Sequence, residues 1–142
     1  MTLTELYTIA DENNLEVYHF PLHPVKSMSV PGAIGIDADS LKNSAEEKEA
    51  LAHELGHCIK GAFYTGASPY ELRSQKEYIA DKWSVQTLVP FNKLLQALKK
   101  GINEVWELAE HFEVPESVIK KAAKLYESRL LTIGNIEEYE CI

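Results

Sequence analysis

The segment His53–His57, with the sequence HELGH, constrains the fold of this 142-residue chain more than any other. Residues four apart lie on one face of an α-helix, about 6 Å along its axis, so a helix lets both imidazoles reach one metal ion. Glu54 lies beside that face, where its carboxylate can meet a metal-bound water. Buried histidines need a partner, and a metal ion supplies one. The helix is predicted to be mostly buried because apolar residues surround the motif: Ala50, Leu51, Ala52, Leu55, Cys58 and Ile59.

This H-E-x-x-H spacing on a helix is typical of zinc peptidases, in which the glutamate acts as general base. Zinc binds imidazole nitrogen and carboxylate oxygen, and a catalytic zinc usually has three protein ligands and one position open to water. The two histidines supply two ligands, so a third must come from another element. The candidates for that third ligand are His19, His23, His111 and Glu77.

Glu77 and Asp81 lie four residues apart and share one face of the next predicted helix. This arrangement resembles the thermolysin-like glutamate zincins, whose third ligand is the glutamate of an E-x-x-x-D pattern at the same separation from the second histidine. The resemblance makes Glu77 the third ligand of one Zn²⁺ per chain. Asp81 is then expected to accept a hydrogen bond from the other ring N–H of His53, which fixes the tautomer of that histidine.

The chemistry expected of such a site follows from charge. Zinc lowers the pKa of its bound water and polarises a peptide carbonyl. Glu54 is expected to accept a proton from that water and to pass it to the departing amine. A further donor would help to stabilise the oxyanion, and the candidates are Tyr64 and Tyr70, between the two ligand helices. The strand predicted at residues 33–37 is a candidate for pairing with an extended substrate.

Composition and charge indicate an ordinary globular protein and disfavour nucleic-acid-binding, membrane and disulfide-rich proteins. With 45% hydrophobic and 25% charged residues, the 142-residue chain is an ordinary globular sequence of one domain's length. A formal net charge of -8 disfavours direct binding to nucleic acid or to an anionic membrane. Residues 1–30 lack an apolar run, so no signal peptide is expected, and no stretch is long enough for a membrane span. Cys58 and Cys141 do not indicate a disulfide framework, and we expect a cytoplasmic protein.

Hydrophobic periodicity and turn residues predict an α+β fold that is mostly helical, with a small antiparallel sheet packed before the HExxH helix. Pro31-Gly32 is expected to join two antiparallel strands. Two capping boxes, Ser44 with Glu47 and Ser68 with Glu71, predict where the two ligand helices begin. The predicted strands cover residues 15–20, 28–30 and 33–37, and the predicted helices cover residues 2–14, 44–60, 69–89, 91–100, 103–112 and 115–130.

Four segments together resemble the ImmA/IrrE metallopeptidase family: Gly32–Asp37, Glu49–His57, Glu77–Asp81 and Leu88–Pro90. The most specific part is HELGH followed by E-x-x-A-D. The resemblance implies a zincin-like fold and a small intracellular zinc protease of bacteria, phages or mobile elements. It also implies that the two motif histidines and Glu77 bind zinc and that Glu54 is catalytic. Such proteases are typically paired with a helix-turn-helix repressor, which they cleave after stress or DNA damage.

The segment from Val105 to Ala122 resembles a helix-turn-helix unit, because its apolar residues are spaced to pack two short helices together. A DNA-reading unit would carry basic and amide side chains on its second helix. Lysines are present there, but glutamates surround them, so electrostatics favour helical packing or partner docking over DNA contact. We therefore expect one metallopeptidase domain over residues 1–142, made of a zincin core at 1–100, a helical pair at 101–130 and a tail at 131–142.

Two functions from different classes fit this sequence. The first is an intracellular zinc-dependent endopeptidase that cleaves a helix-turn-helix repressor of a phage or mobile element. The second is a non-catalytic regulator that binds a repressor or DNA through its C-terminal helices and uses zinc only structurally. Glu54 favours the enzyme, because a structural zinc site has no need of a carboxylate beside an open metal position.

Overall fold

The computed structural model of the chain describes residues 1–132. Its helices are α1 (Leu3–Glu12), α2 (Ser44–Lys60), α3 (Tyr70–Leu88), α4 (Phe91–Lys99), α5 (Val105–Phe112) and α6 (Glu116–Leu125), with a short 3₁₀ helix at Ala38–Ser40. Its strands are β1 (Glu16–His19), β2 (Ser27–Val30) and β3 (Ala33–Ile36). The predicted α+β class is confirmed, as is a small sheet that precedes the histidine helix. Most of the predicted tail, with Cys141, lies outside the described residues.

The three strands form one sheet in the order β1-β3-β2. β2 and β3 are antiparallel, as predicted, and Gly32 between them has a φ of 88°, a conformation that glycine adopts without strain. β1 runs parallel to β3, so the sheet is mixed and not wholly antiparallel. The reason is that the chain reverses twice between β1 and β3, and β1 pairs with the third strand and not with its neighbour in sequence.

The position of β3 changes one expectation about substrate. β3 is the central strand and has a partner on each side, so the prediction that residues 33–37 pair with a substrate is wrong. β2 is an edge strand of the sheet and packs against α2. An extended peptide therefore has access to the backbone of β2 and not to that of β3.

The residues that precede α2 and α3 do not form the capping boxes predicted for these two helices. Asn43 caps α2, because its side chain accepts a 3.0 Å hydrogen bond from the Glu46 amide, so the predicted Ser44–Glu47 box is wrong. The residue before α3 is Pro69, which makes no side-chain cap, and Ser68 instead accepts from the Thr65 amide. Each ligand helix still begins within two residues of its predicted start, because the residues around these boxes favour a helix start in any case.

One hydrophobic cluster holds the helices and the sheet together. It joins buried residues of α1, β3, α2, α3 and α4 with buried residues of the C-terminal helices. Tyr126, in the turn after α6, donates a buried 2.8 Å hydrogen bond to the Val89 carbonyl at the end of α3. The C-terminal pair is thus packed onto the ligand helices. Among residues 1–132, no helix has both the length and the apolar character needed to cross a membrane.

Candidate metal centre

The side chains of His53, His57 and Glu77 converge between α2 and α3, and their possible ligand atoms all lie within 4.8 Å of one another. The Nε2 atom of His53 is 2.8 Å from Oε2 of Glu77, and the Nε2 atom of His57 is 3.2 Å from Oε1. Within residues 1–132, no other trio of histidine, cysteine or acidic side chains has this geometry. Two imidazoles and a carboxylate are a donor set that zinc accepts. These three residues can therefore hold a metal ion.

Both imidazoles are held through Nδ1, which leaves Nε2 facing Glu77. Oδ1 of Asp81 lies 3.1 Å from Nδ1 of His53, and the Ala62 carbonyl oxygen lies 2.5 Å from Nδ1 of His57. An ionised carboxylate and a carbonyl can only accept, so each Nδ1 carries a proton and donates it. In the neutral ring this leaves the lone pair of Nε2 for a metal, which is the usual arrangement for metal-binding histidines.

The other candidates for the third ligand lie outside this group. His19 is hydrogen-bonded at Nε2 to the Tyr7 hydroxyl, 2.9 Å away, and the ring of His111 contacts Phe112. His23 is likewise not among the converging residues. Cys58 follows His57 directly, but its thiol is directed at the Val30 carbonyl oxygen, 3.8 Å away.

Glu54 is buried against β2, where two serines hold its carboxylate. The Ser27 hydroxyl donates to Oε2 at 2.8 Å, and the Ser29 hydroxyl donates to Oε1 at 2.7 Å. Residues two apart on a strand point to the same side, so both hydroxyls reach the helix. The carboxylate lines a cavity of about 380 Å³ together with the three convergent residues. These serines were not predicted as site residues, because their S-x-S spacing places two hydroxyls on one side of a strand but does not link them to Glu54.

The two tyrosines predicted as oxyanion donors lie in different places. Tyr64 lines the cavity at the metal centre, and its hydroxyl donates a 2.6 Å hydrogen bond to Oε1 of Glu77. That hydrogen bond, together with burial, raises the pKa of Tyr64 to about 12, so the hydroxyl keeps its proton at neutral pH. Tyr70 is 74% exposed at the start of α3 and does not line this cavity.

Charged neighbours shift the pKa of several groups at the site. Burial alone would lower the pKa of His53, but the hydrogen bond to Asp81 and the nearby carboxylates raise it above its usual value. Burial alone would raise the pKa of Glu77, but the bond from Tyr64 and the two imidazoles lower it. Burial likewise opposes ionisation of Asp81, yet its pKa is lowered by the hydrogen bonds with His53 and Lys121. The ionised carboxylates give these convergent side chains a charge that suits a cation.

Gly56 brings the two ligand helices close together. A Cβ atom at this position would lie 2.5 Å from the Ala80 carbonyl oxygen and 3.0 Å from its Cα. Only a glycine on α2 permits this approach of α3, and Ala80 is itself fully buried at the contact. The glycine of HELGH and the alanine of E-x-x-A-D thus form the crossing point that places Glu77 opposite the histidines.

Comparisons with curated proteins and with protein families bear on what this site belongs to. No curated protein matches the chain. A peptidase family described as the IrrE N-terminal-like domain matches residues 11–124. The matched segment begins in α1, contains both ligand helices and ends in α6. Because the match covers well over half of the chain and includes every residue that converges on the site, the protein belongs to the Peptidase_M78 family of IrrE N-terminal-like domains.

Proposed function

We propose that this protein is a zinc-dependent endopeptidase whose substrate is a helix-turn-helix repressor of a phage or mobile element, and that it acts in the cytoplasm. The observation that carries the proposal is the placement of the Glu54 carboxylate in the same cavity as His53, His57 and Glu77. Membership of a peptidase family supports hydrolysis of a protein substrate. The choice of a repressor rests on the resemblance to ImmA/IrrE proteases.

Zinc suits the three convergent side chains. His53 and His57 would bind it through Nε2, since Nδ1 of each ring is already engaged, and Glu77 would bind it through a carboxylate oxygen. A zinc ion in such a site supplies Lewis acidity and makes a coordinated water acidic at neutral pH. Asp81 keeps the ring of His53 in the orientation that points Nε2 into the site.

Glu54 is the proposed proton carrier. One of its carboxylate oxygens takes the proton of the attacking water and then returns it to the nitrogen of the departing amine. The two serine hydroxyls on β2 keep the carboxylate in place through this exchange. Tyr64, which keeps its proton and lines the same cavity, is the proposed donor to the developing oxyanion, and its hydroxyl would turn there from Oε1 of Glu77. Tyr70 has no place in this mechanism.

The decisive experiment replaces one atom of the proton carrier. Glu54→Gln should bind one zinc per chain, because the ligands are untouched, and should lose at least a hundredfold in the rate of repressor cleavage. Zinc content is measured by atomic emission and cleavage by mass spectrometry on a purified repressor. Glu71→Gln, on the exposed first turn of α3, is the matched control and should cleave normally.

The same variant separates the peptidase from a non-catalytic regulator. A regulator with a structural zinc would keep its biological activity in Glu54→Gln, whereas the peptidase loses it. The two hydrogen bonds to the Glu54 carboxylate favour the peptidase, because they order a side chain that no structural zinc requires. Cleavage by Glu54→Gln at the normal rate would rule out the assigned mechanism.

A further inference from the structure

Several surface hollows share lining residues, beginning with the cavity at the metal centre. The cavity at the histidines shares Ser27, His53 and Glu77 with a second hollow. Glu46, in the first turn of α2, lines that second hollow and also a third one. Glu46 is thus common to the second and third hollows.

The third hollow, of about 540 Å³, lies at the α5–α6 pair. It shares Trp106 and Glu110 with a fourth hollow. We call the third and fourth hollows together the Trp106 groove. Each hollow thus shares at least one lining residue with the next, from the metal centre to the Trp106 groove.

Trp106 is the apolar centre of this groove. It is 56% exposed near the start of α5, although a tryptophan side chain has a large area to bury. Ala109, Val114 and Pro115 complete an apolar floor beside it. Exposed tryptophans in such pockets are the residues that most often dominate the free energy of protein binding.

The rim of the Trp106 groove is negatively charged. In the described part of the chain, neither hollow is lined by a lysine or an arginine. The buried Lys48 ammonium donates a hydrogen bond to the Phe112 carbonyl and attracts the Glu113 carboxylate. It therefore offsets part of the negative charge of the rim. The carboxylates that line the groove are those of Glu46, Glu107, Glu110, Glu113 and Glu116.

We propose that the Trp106 groove binds a basic segment of the protein substrate, one that carries arginine or lysine side chains next to an apolar anchor. An arginine guanidinium can stack on the exposed indole face while neighbouring carboxylates neutralise its charge. Charge complementarity selects this partner, since the rim repels acidic segments and nucleic acid alike. That the partner is a substrate rests on the proposed function, whereas binding of a basic segment does not.

The test begins with an unbiased selection of peptides. A library of randomised peptides about twelve residues long is displayed on phage and selected against the full-length Glu54→Gln protein loaded with zinc. This variant holds peptides without cleaving them. Enriched peptides should be rich in arginine and lysine. Selection of peptides without a basic excess, or no enrichment at all, overturns the proposal.

Matched variants then locate the binding surface in the Glu54→Gln background. By fluorescence anisotropy, Trp106→Ala should raise the Kd of an enriched peptide at least tenfold, and Glu110→Lys about fivefold, with a larger effect at low salt. Tyr18→Ala and Glu12→Lys change an exposed tyrosine and an exposed glutamate far along the chain, and should alter the Kd less than twofold. Equal effects of Trp106→Ala and Tyr18→Ala overturn the proposal.

Two further results separate this inference from its alternatives. A dimer of the wild-type chain that becomes monomeric in Trp106→Ala would show that a second copy occupies the groove, and would overturn the proposal. Wild-type protein that binds the peptides through Trp106 but cleaves neither them nor a repressor would refute the peptidase and leave the groove intact.

Discussion

The Glu54 carboxylate depends on residues that lie far from it in sequence. It is buried, and a buried carboxylate without hydrogen bonds is costly. Ser27 and Ser29 provide one hydroxyl for each of its oxygens, so the side chain keeps one rotamer. Hydrogen bonds to a charged group contribute about 1.5–3 kcal/mol each, which is enough to fix the orientation of the carboxylate that is proposed to carry the proton.

We expect the double variant Ser27→Ala/Ser29→Ala to lose about tenfold in kcat, because the carboxylate is then free to rotate away from the cavity. Zinc content should not change, since no ligand or ligand partner is touched. Steady-state kinetics and metal analysis on the same preparation measure both quantities. Ser117→Ala removes an exposed hydroxyl and serves as control. A double variant with normal kcat would show that the serines do not position Glu54.

The site residues that could be predicted from the sequence alone are those a fixed, short distance apart in the chain. His53 and His57 are four apart on a helix, so their shared face follows from helix geometry alone. Placement of Glu77 needed the resemblance to the zincins, because its helix is separated from theirs by a loop. The serines were out of reach, since contact between β2 and α2 depends on tertiary packing that no local pattern encodes.

The crossing of α2 and α3 decides the geometry of the site at the scale of whole elements. The Gly56 contact with the Ala80 backbone sets the separation of the two helices, and Glu77 lies one turn before Ala80 on α3. A change in that separation moves the carboxylate relative to both imidazoles. The spacing between elements thus controls the fit of the ligands.

We expect Gly56→Ala to destabilise the protein by about 1–3 kcal/mol, because the added methyl group meets backbone atoms that must shift. A loss of stability is informative, since alanine in a helix interior normally raises the free energy of unfolding by about 0.5–1 kcal/mol relative to glycine. Urea denaturation gives the free energy of unfolding, and zinc affinity should fall as well. Gly66→Ala, which has open space around its Cβ position, is the matched control. A more stable Gly56→Ala variant would contradict the crossing described above.

The elements themselves were largely predictable, and their pairing was not. Apolar spacing, capping residues and prolines predicted the existence and approximate bounds of helices α1 to α6. The parallel placement of β1 beside β3 could not be predicted, because strand order depends on contacts between distant segments. Asn43, and not Ser44, caps α2. Both side chains can accept a hydrogen bond from a backbone amide, so the residue types alone do not decide between them.

At the scale of the whole molecule, the C-terminal pair and the ligand helices share one hydrophobic cluster. Ile119 and Val118 belong to the same buried cluster as Leu51 and Leu55 of α2. Lys121 of α6 also lies 3.1 Å and 3.2 Å from the two carboxylate oxygens of Asp81. These contacts favour the expectation of one domain, with the C-terminal pair as a support for the site.

We expect Ile119→Ala to lower the stability of the entire protein by about 2–5 kcal/mol, because it removes buried methyl groups from a shared core. In a Trp106→Phe background, fluorescence of Trp83 in α3 should report the same shifted transition as far-ultraviolet circular dichroism. Leu131→Ala, at a position that is 62% exposed, should have little effect. Two separate transitions would show that the C-terminal pair folds independently.

The division of the ligands between two helices has a consequence for the life of the protein in a cell. Any ion held by His53, His57 and Glu77 acts as a cross-link from one helix to the other. Binding then adds to the cost of unfolding, by about 2.7 kcal/mol when free metal exceeds the Kd a hundredfold. Starvation for the metal would therefore leave more chains unfolded and open to degradation, and metal supply would then govern the abundance of this protein as well as its proposed chemistry.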